Sequence, residues 1–353
     1  MSLTRDQLIQ KFSPVVYIHP KEKYYPCNIE WLLRYSTLVD FNLPADNPKR
    51  AIVSPTNQDL YDAAARYNFE RRVDGDLILS FPPGVYGGQR PLSDVKTYCL
   101  PRTKDGKIYL TYIFVFAYNG EYSIANLRNV GQHPGDIEHI TLELNIDQTL
   151  SRVFFSAHGT KDGRWVKASD VEMEDGRVVA YNAMNGHGLY PTDGVVFRLG
   201  GFGNDFLSKG PRWAPTAELI VPRSDPDFNP ATMGWTVFYG RFGGEPKLGN
   251  TAGISGLADK AWVRDIDNPN AEAYKPPKIY NMKTSGLAWA GKQIVKVIAA
   301  WLVLFWILKK VSKATYVSDI NLSHHLTVIV IALIGYLVWK NGGNALIKKY
   351  VPE

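Results

Sequence analysis

The chain has 353 residues, 12% of them aromatic, with 30 Gly and 22 Pro spread along its length, which is enough for a real core and excludes a disordered polymer. Its formal charge of +6 is unevenly placed: from Lys275 onward 11 lysines face two acids, Asp319 and Glu353, while the residues before them hold 29 basic and 32 acidic groups. The basic excess therefore belongs to the tail, which argues against a nucleic-acid partner and for a membrane-flanking segment.

The opening "MSLTRDQLIQKFSP" lacks a long apolar run, so no cleavable signal peptide is expected, and position two is not the glycine that myristoylation needs. Residues 1–35 read as a short helix followed by a packed strand or turn. Between 50 and 120 the runs "AIVSP", "DLILSFPPG" and "IYLTYIFVFAYNG" are cut by Gly, Pro and Asp and read as strands. In "EHITLELN", Ile140, Leu142 and Leu144 alternate with His139, Thr141 and Glu143, the pattern of a half-buried strand with one wet face. "IDQT" then turns the chain into "SRVFFSAHG", which makes a hairpin, and "GVVFRLG", "AELIVP" and "GWTVFYGRFG" add further strands. Roughly ten to fourteen strands with short turns predict a mainly β fold, a two-sheet β-sandwich over residues 1–267. Cys27 and Cys99 allow one disulfide without requiring it.

A Pro- and Lys-rich linker over 268–285 leads into two apolar segments within 286–340, and a basic stretch, 341–353, ends the chain. The segments "IVKVIAAWLVLFWILKK" and "LSHHLTVIVIALIGYLVWK" predict a C-terminal helical membrane anchor of one or two transmembrane helices, with Trp301, Trp306 and Trp339 as anchor aromatics. Membrane lipid is then a partner. In a hairpin, Lys292, Lys340, Lys348 and Lys349 lie on one side, against Lys309, Lys310 and Lys313 in the connection. The balance puts both ends, and the β domain, on the cytosolic side. A virion membrane or capsid suits the same pattern.

Chemistry concentrates in the histidines. His133, His139, His158 and His187 fall in one stretch. In "HPGDIEH", Asp136 and Glu138 are two apart, so on a strand they share a face, and the Pro-Gly turn can fold His133 back over them. One His and two carboxylates form a hard donor set suited to Ca²⁺, Mg²⁺ or Mn²⁺ rather than structural zinc. The same residues also suit a plain polar turn. His139 points to the other face. His158 and His187 each sit beside glycine, where a ligand can approach the backbone, and are possible ligand-binding or additional metal residues. There is no Gly-x-Ser-x-Gly elbow, phosphate loop or zinc spacing.

Five separated motifs, "YIHPKEKYYPCNIEWLL" (17–33), "GDIEHITLELN" (135–145), "VFFSAHG" with "WVKASDVE" (153–172), "RVVAYNAMNGHGLYP" (177–191) and "FYGRFG" (238–243), resemble the vacuolar protein sorting 62 family over about residues 12–265. The apolar tail is a departure from that family. "QHPGDIE" is more distantly similar to the Gly-His-Arg-His-Asp-Trp-Glu signature of the necrosis- and ethylene-inducing toxins. That resemblance implies a β-sandwich whose divalent cation is held at His133, Asp136 and Glu138. Gln132, Gly135 and Ile137 replace the other signature residues, which removes support for toxin activity. Three functions follow as expectations. The first is a membrane-tethered binding module whose cation engages a polar head group, a glycan or a protein. The second is a structural or assembly protein of a membrane-containing particle. The third is a metal-dependent hydrolase with His158 or His187 as general base, the least supported because no second acid–base pair stands out.

Overall fold

Thr4 accepts a hydrogen bond from Gln7 N while the Gln7 side chain accepts from Thr4 N, a reciprocal cap that starts helix α1 (Arg5–Lys11). In this computed structural model the described residues are 3–259 apart from 71–75, 125–126, 158–162, 197–203 and 244–253. They belong mostly to one unit, residues 1–193 and 205–278; a second unit comprises 194–204 and 279–353.

After α1 come β1 (Val15–Ile18), α2 (Ile29–Arg34), β2 (Thr37–Asp40), β3 (Ala51–Val53), α3 (Asn57–Arg66) and β4 (Leu77–Ser80). The long strands β5 (Thr97–Lys104) and β6 (Lys107–Asn119) follow, then a small hairpin of β7 (Tyr122–Ile124) and β8 (Leu127–Val130). Next are β9 (His133–Asn145), β10 (Leu150–Phe155), β11 (Arg164–Lys167), β12 (Met173–Glu174), β13 (Arg177–Asn182) and β14 (Leu189–Tyr190). The described chain ends through β15 (Gly194–Val196), β16 (Asp205–Leu207), β17 (Arg212–Trp213), β18 (Ala217–Leu219), α4 (Pro230–Met233), β19 (Arg241–Phe242) and β20 (Ile254–Ser255).

The middle layer of the first unit is a six-stranded sheet in the order β11-β10-β9-β6-β5-β18. Its spine is the antiparallel pair β6 and β9, in register from Lys107 opposite Asn145 to Asn119 opposite His133. Alternate residues of these strands enter different cores. Tyr112, Phe114, Phe116, Ile140 and Leu142 pack with Val16, Ile18, Val178 and Ala180 of a second sheet, β12-β13-β1-β17, whose β13 also pairs β14. On the other face Ile113, Val115, Ala117 and Ile137 pack with Leu79 and Phe242 of a third sheet, β20-β19-β4-β2-β3. Leu32 of α2, Leu60 of α3 and Trp235 complete that core.

The mainly β expectation holds, but the architecture has several sheets rather than two. The middle sheet is covered on both faces, so the near-continuous apolar run "IYLTYIFVFA" of β6 is the signature of a strand without a wet side. β9 is likewise not half-wet: His139, Thr141 and Glu143 are buried. Glu143 is accommodated by Arg152 Nε at 2.8 Å and Ser151 Oγ at 3.1 Å, as a buried carboxylate requires. The hairpin across "IDQT" forms as expected, between β9 and β10. Cys27 and Cys99 are both free thiols and lie in the two different cores, so no bridge joins them.

Among the described residues no helix is long and apolar enough to cross a membrane. The expected anchor at 286–340, with Trp301, Trp306 and Trp339, lies outside the described residues, as do the linker and the basic end.

Candidate functional site: a carboxylate–histidine centre at one end of the middle sheet

β1 and β13 are parallel neighbours, with Val15 opposite Val179 and Ile18 opposite Asn182. Their exit loops therefore leave the sheet at the same end, the end where β9 begins on the facing layer. Three of the quoted motifs, "YIHPKEKYY", "NAMNGHGLYP" and "HPGDIEH", are brought together there by topology alone.

The loop after β1 carries Glu22, which is buried. Its Oε1 accepts from Lys23 N and Tyr24 N, both at 2.8 Å, and its Oε2 accepts from Asn185 N at 2.7 Å in the loop after β13. One carboxylate thus stitches two loops together through backbone N–H donors. His187 occupies the second loop in a left-handed conformation, φ 55°, and is fully buried. Its ring lies flat on Phe116, with centroids 3.9 Å apart and planes 4° apart. Nε2 meets Tyr24 O at 3.1 Å; a carbonyl only accepts, so Nε2 carries hydrogen. Nδ1 meets Asp136 Oδ2 at 3.0 Å. Asp136 and Glu138 are buried on the β9 face that Ile140 and Leu142 continue, and Glu138 Oε2 accepts from Ser156 Oγ at 3.1 Å.

His133 takes another route. Its Nδ1 donates to Gly135 O at 2.8 Å, which leaves Nε2 as the lone-pair nitrogen. Gly135 is obligatory in this turn: φ is +72°, and a Cβ there would stand 2.7 Å from Phe242 O. The partner side is just as close, because a Cβ on Gly243, at φ +77°, would stand 2.2 Å from Pro134 Cβ. "HPGD" and "RFG" are therefore interlocked backbones. At the rim, Tyr118 stacks on Tyr86 with centroids 4.2 Å apart and donates to Gln132 Oε1 at 2.7 Å. Burial, with Tyr24, Tyr86 and Glu121 nearby, pushes the Tyr118 hydroxyl up to about 12.

The structure thus places Asp136 and Glu138 on one face, as their spacing predicts, and His139 on the other, where it stacks with Phe154. It joins Asp136 to His187 rather than to His133. His158 lies outside the described residues. Among the described residues no three His, Cys, Asp or Glu side chains converge as a cage for an ion. Asp136 turns to His187 and Glu138 to Ser156 instead. One acceptor is left over: Asn182 Oδ1 is buried without a hydrogen-bond partner among the described residues, while its Nδ2 donates to His187 O at 2.7 Å. Glu22, Tyr24, Asn182 and Ser156 were not singled out by spacing. All four nevertheless lie inside quoted motifs, and for Glu22, Tyr24 and Asn182 the clue would have been the shared end that parallel β1 and β13 impose.

No curated protein matches the chain. Solved structures similar to it include Necrosis and Ethylene inducing Protein 2 from the causal agent of cocoa's Witches Broom disease, at 19% identity and TM-score 0.31, covering 62% of this chain and 74% of that one. Two structures of the protein NLPPya are also similar. Its complex with mannosamine is 14% identical, with TM-score 0.34 and coverage of 68% and 82%. Its complex with glucosamine is 13% identical, with TM-score 0.35 and coverage of 69% and 84%. The family model of vacuolar protein sorting-associated protein 62 matches residues 4–53 and 112–212. Those two segments contain Glu22, His133, Asp136, Glu138, Asn182 and His187, so over the residues that build the site the chain is similar to the vacuolar protein sorting 62 family, as its motifs imply.

Proposed function

We propose that the chain is a membrane-attached binding module whose ligand, a polar head group, a glycan or a protein, is engaged through a divalent cation at the end of the middle sheet. The observation that carries this is the pair of buried carboxylates, Asp136 and Glu138, on one strand face, together with the orphaned acceptor Asn182 Oδ1 on the residue whose Nδ2 bonds His187 O. A buried amide oxygen without a hydrogen bond is costly, and oxygen donors suit Ca²⁺, Mg²⁺ or Mn²⁺. His133 supports the same reading: the hydrogen bond from Nδ1 to Gly135 O leaves Nε2 in the form a metal ligand needs. In this reading His187 is not a ligand. It orients Asp136, the outer role that histidine–carboxylate pairs play around metals. A bound cation would supply open positions for an anionic or hydroxyl-bearing ligand. The apolar segments at 286–340 would hold the module on a membrane, on its cytosolic side or in a particle envelope.

The hydrolase reading loses its base at His187, whose ring nitrogens both face protein oxygens and which has no exposed surface. The deciding experiment is elemental analysis of the full-length protein beside an Asp136→Ala, Glu138→Ala double variant. About one divalent ion per chain, lost in the variant, is the expected result. A folded wild-type protein that takes up no Ca²⁺, Mg²⁺ or Mn²⁺ from excess would refute the cation. The centre would then be a polar knot that ties the β1 and β13 loops to β9, and an assembly role would become the better reading.

A further inference from the structure

The third sheet, β20-β19-β4-β2-β3, ends at β3, and among the described residues no strand pairs with β3 on its far side. The hydrogen-bond parity of that edge is fixed. Asp40 N donates to Arg50 O and Ser54 N to Ser36 O, both at 2.8 Å, so the even-numbered residues at β3 bond inward to β2. Ala51 and Val53 therefore turn their backbone N–H and C=O groups outward. Both residues are exposed.

The side chains add a second observation. Leu38 and Ile52 sit opposite each other on β2 and β3 and face the core. Their neighbours Thr37, Val39, Ala51 and Val53 take the other face. Five large apolar side chains are exposed among the described residues, and three of them gather here: Val53 at 76%, Tyr35, shortly before β2, at 51%, and Phe41, just after it, at 43%. An apolar patch beside an open strand edge is a liability unless something covers it. Edges are commonly blunted by charge, but β3 itself reads Ala-Ile-Val. The guanidinium of Arg50, next to it, turns back to Leu43 O and to the Phe41 ring, 5.7 Å from the ring centroid.

We propose that β3 is a dimer interface: it pairs antiparallel with β3 of a second copy of this chain, so that the two five-stranded sheets become one. The edge complements itself. A two-fold axis between Ile52 and the partner's Ile52 sets Ala51 opposite the partner's Val53, and such a pair exchanges both backbone hydrogen bonds. A small side chain then faces a large one, and the apolar stripes of the two copies abut. The same register sets Arg50 opposite the partner's Ser54 and Lys49 opposite the partner's Pro55, so like charges do not meet. The proposal does not rest on the cation site.

The test is sedimentation of the full-length protein in detergent micelles. A reversible dimer with a dissociation constant of roughly 1–100 μM is expected from so short an edge. Val53→Pro deletes an outward N–H and leaves the ladder to β2 whole, while Val53→Asp puts a carboxylate into the patch. Each should weaken the dimer at least about tenfold. Ile146→Asp changes another exposed apolar residue, in the turn after β9, and should dimerise as the wild type does. Near-ultraviolet circular dichroism confirms that each variant is folded. The register is tested by oxidising a mixture of Ala51→Cys and Val53→Cys proteins. The mixture should cross-link readily and either protein alone should not, because two copies of one position lie diagonally, further apart than a disulfide spans. Cys27 and Cys99 are buried and do not compete. A wild-type monomer up to about 100 μM would overturn the proposal. So would a dimer that both folded Val53 variants keep, as one held by the apolar tail would be, or cross-linking no better in the mixture than in either protein alone.

Discussion

Substitution of His187 by Phe keeps an aromatic ring on Phe116 and deletes both ring nitrogens. In the wild type these nitrogens meet Asp136 Oδ2 at 3.0 Å and Tyr24 O at 3.1 Å. The His187 side chain is 0% exposed and that of Asp136 9%, so solvent screens the pair little. The substitution takes one hydrogen-bond partner from a buried carboxylate and one from a buried carbonyl. Such a break costs about 3–5 kcal/mol, much of it the penalty of the group left behind. Part of the measured loss will come from the backbone, because φ at position 187 is 55° and Phe tolerates that region less well than His. A double-mutant cycle with Asp136→Asn removes the backbone term, which is common to both legs. The remaining coupling should be about 1.5–3 kcal/mol. The assay is equilibrium urea denaturation of the four proteins, followed by tryptophan fluorescence. A single-variant loss below about 1 kcal/mol, or a coupling near zero, would show that His187 and Asp136 are neighbours without mutual dependence.

Two further outcomes follow from the same geometry. His19 is buried, accepts a hydrogen bond at Nδ1 from Lys21 N at 3.1 Å, and is held below the ordinary histidine range chiefly by burial, with Glu22 opposing and Lys21 adding to the shift. The native state prefers the neutral ring, so the unfolded chain binds the proton more readily. Stability should therefore fall as pH drops below about 6.5, the unfolded value, and the extra slope should vanish in His19→Asn, measured as urea midpoints across pH 5–8. Cys27 and Cys99 are buried free thiols whose ionisation burial pushes well up. Neither should react with iodoacetamide at pH 8 in the native protein, and both should react in urea, read by mass spectrometry. Labelling of either thiol in the folded protein would refute their burial.

Much of the strand pattern was legible because β-branched and aromatic runs flanked by turn residues leave few alternatives. α3 was not read, since it lies among short strand-like runs. Its marks were present: Thr56 and Asp59 cap each other, and Leu60, Ala63 and Ala64 recur at helical spacing on the buried side. "GWTVFYGRFG" read as one strand from its aromatics. Instead a 3-10 turn at Gly234–Val237 carries Trp235 into the core, where Gly234 passes so close to Asn57 O that a Cβ would stand 1.8 Å away, and only Arg241–Phe242 is strand. The layer count failed for a different reason. Periodicity reports how many faces a strand buries, and β6 reported two, but a count of strands alone predicts a two-sheet sandwich. In the site, the shared face of Asp136 and Glu138 followed from period two. The partnership of Asp136 with His187 did not, because it depends on the parallel pairing of strands far apart in sequence, which no local pattern encodes.

That pairing has a consequence for the order of events during synthesis. β1 leaves the ribosome well before both its neighbours, β13 and β17. The contact from Asn185 N to Glu22 spans 163 residues of chain. Until the segment reaching Asn182 has been made, residues 15–18 have no strand to pair with, and until Asn185 has been made the loop bearing Glu22 has no second loop to hold. Loop closure over such a distance is paid before any reward arrives. The carboxylate–histidine centre is therefore a late product of folding, and a nascent or truncated chain that ends before His187 carries the acidic half of the centre without the half that orients it.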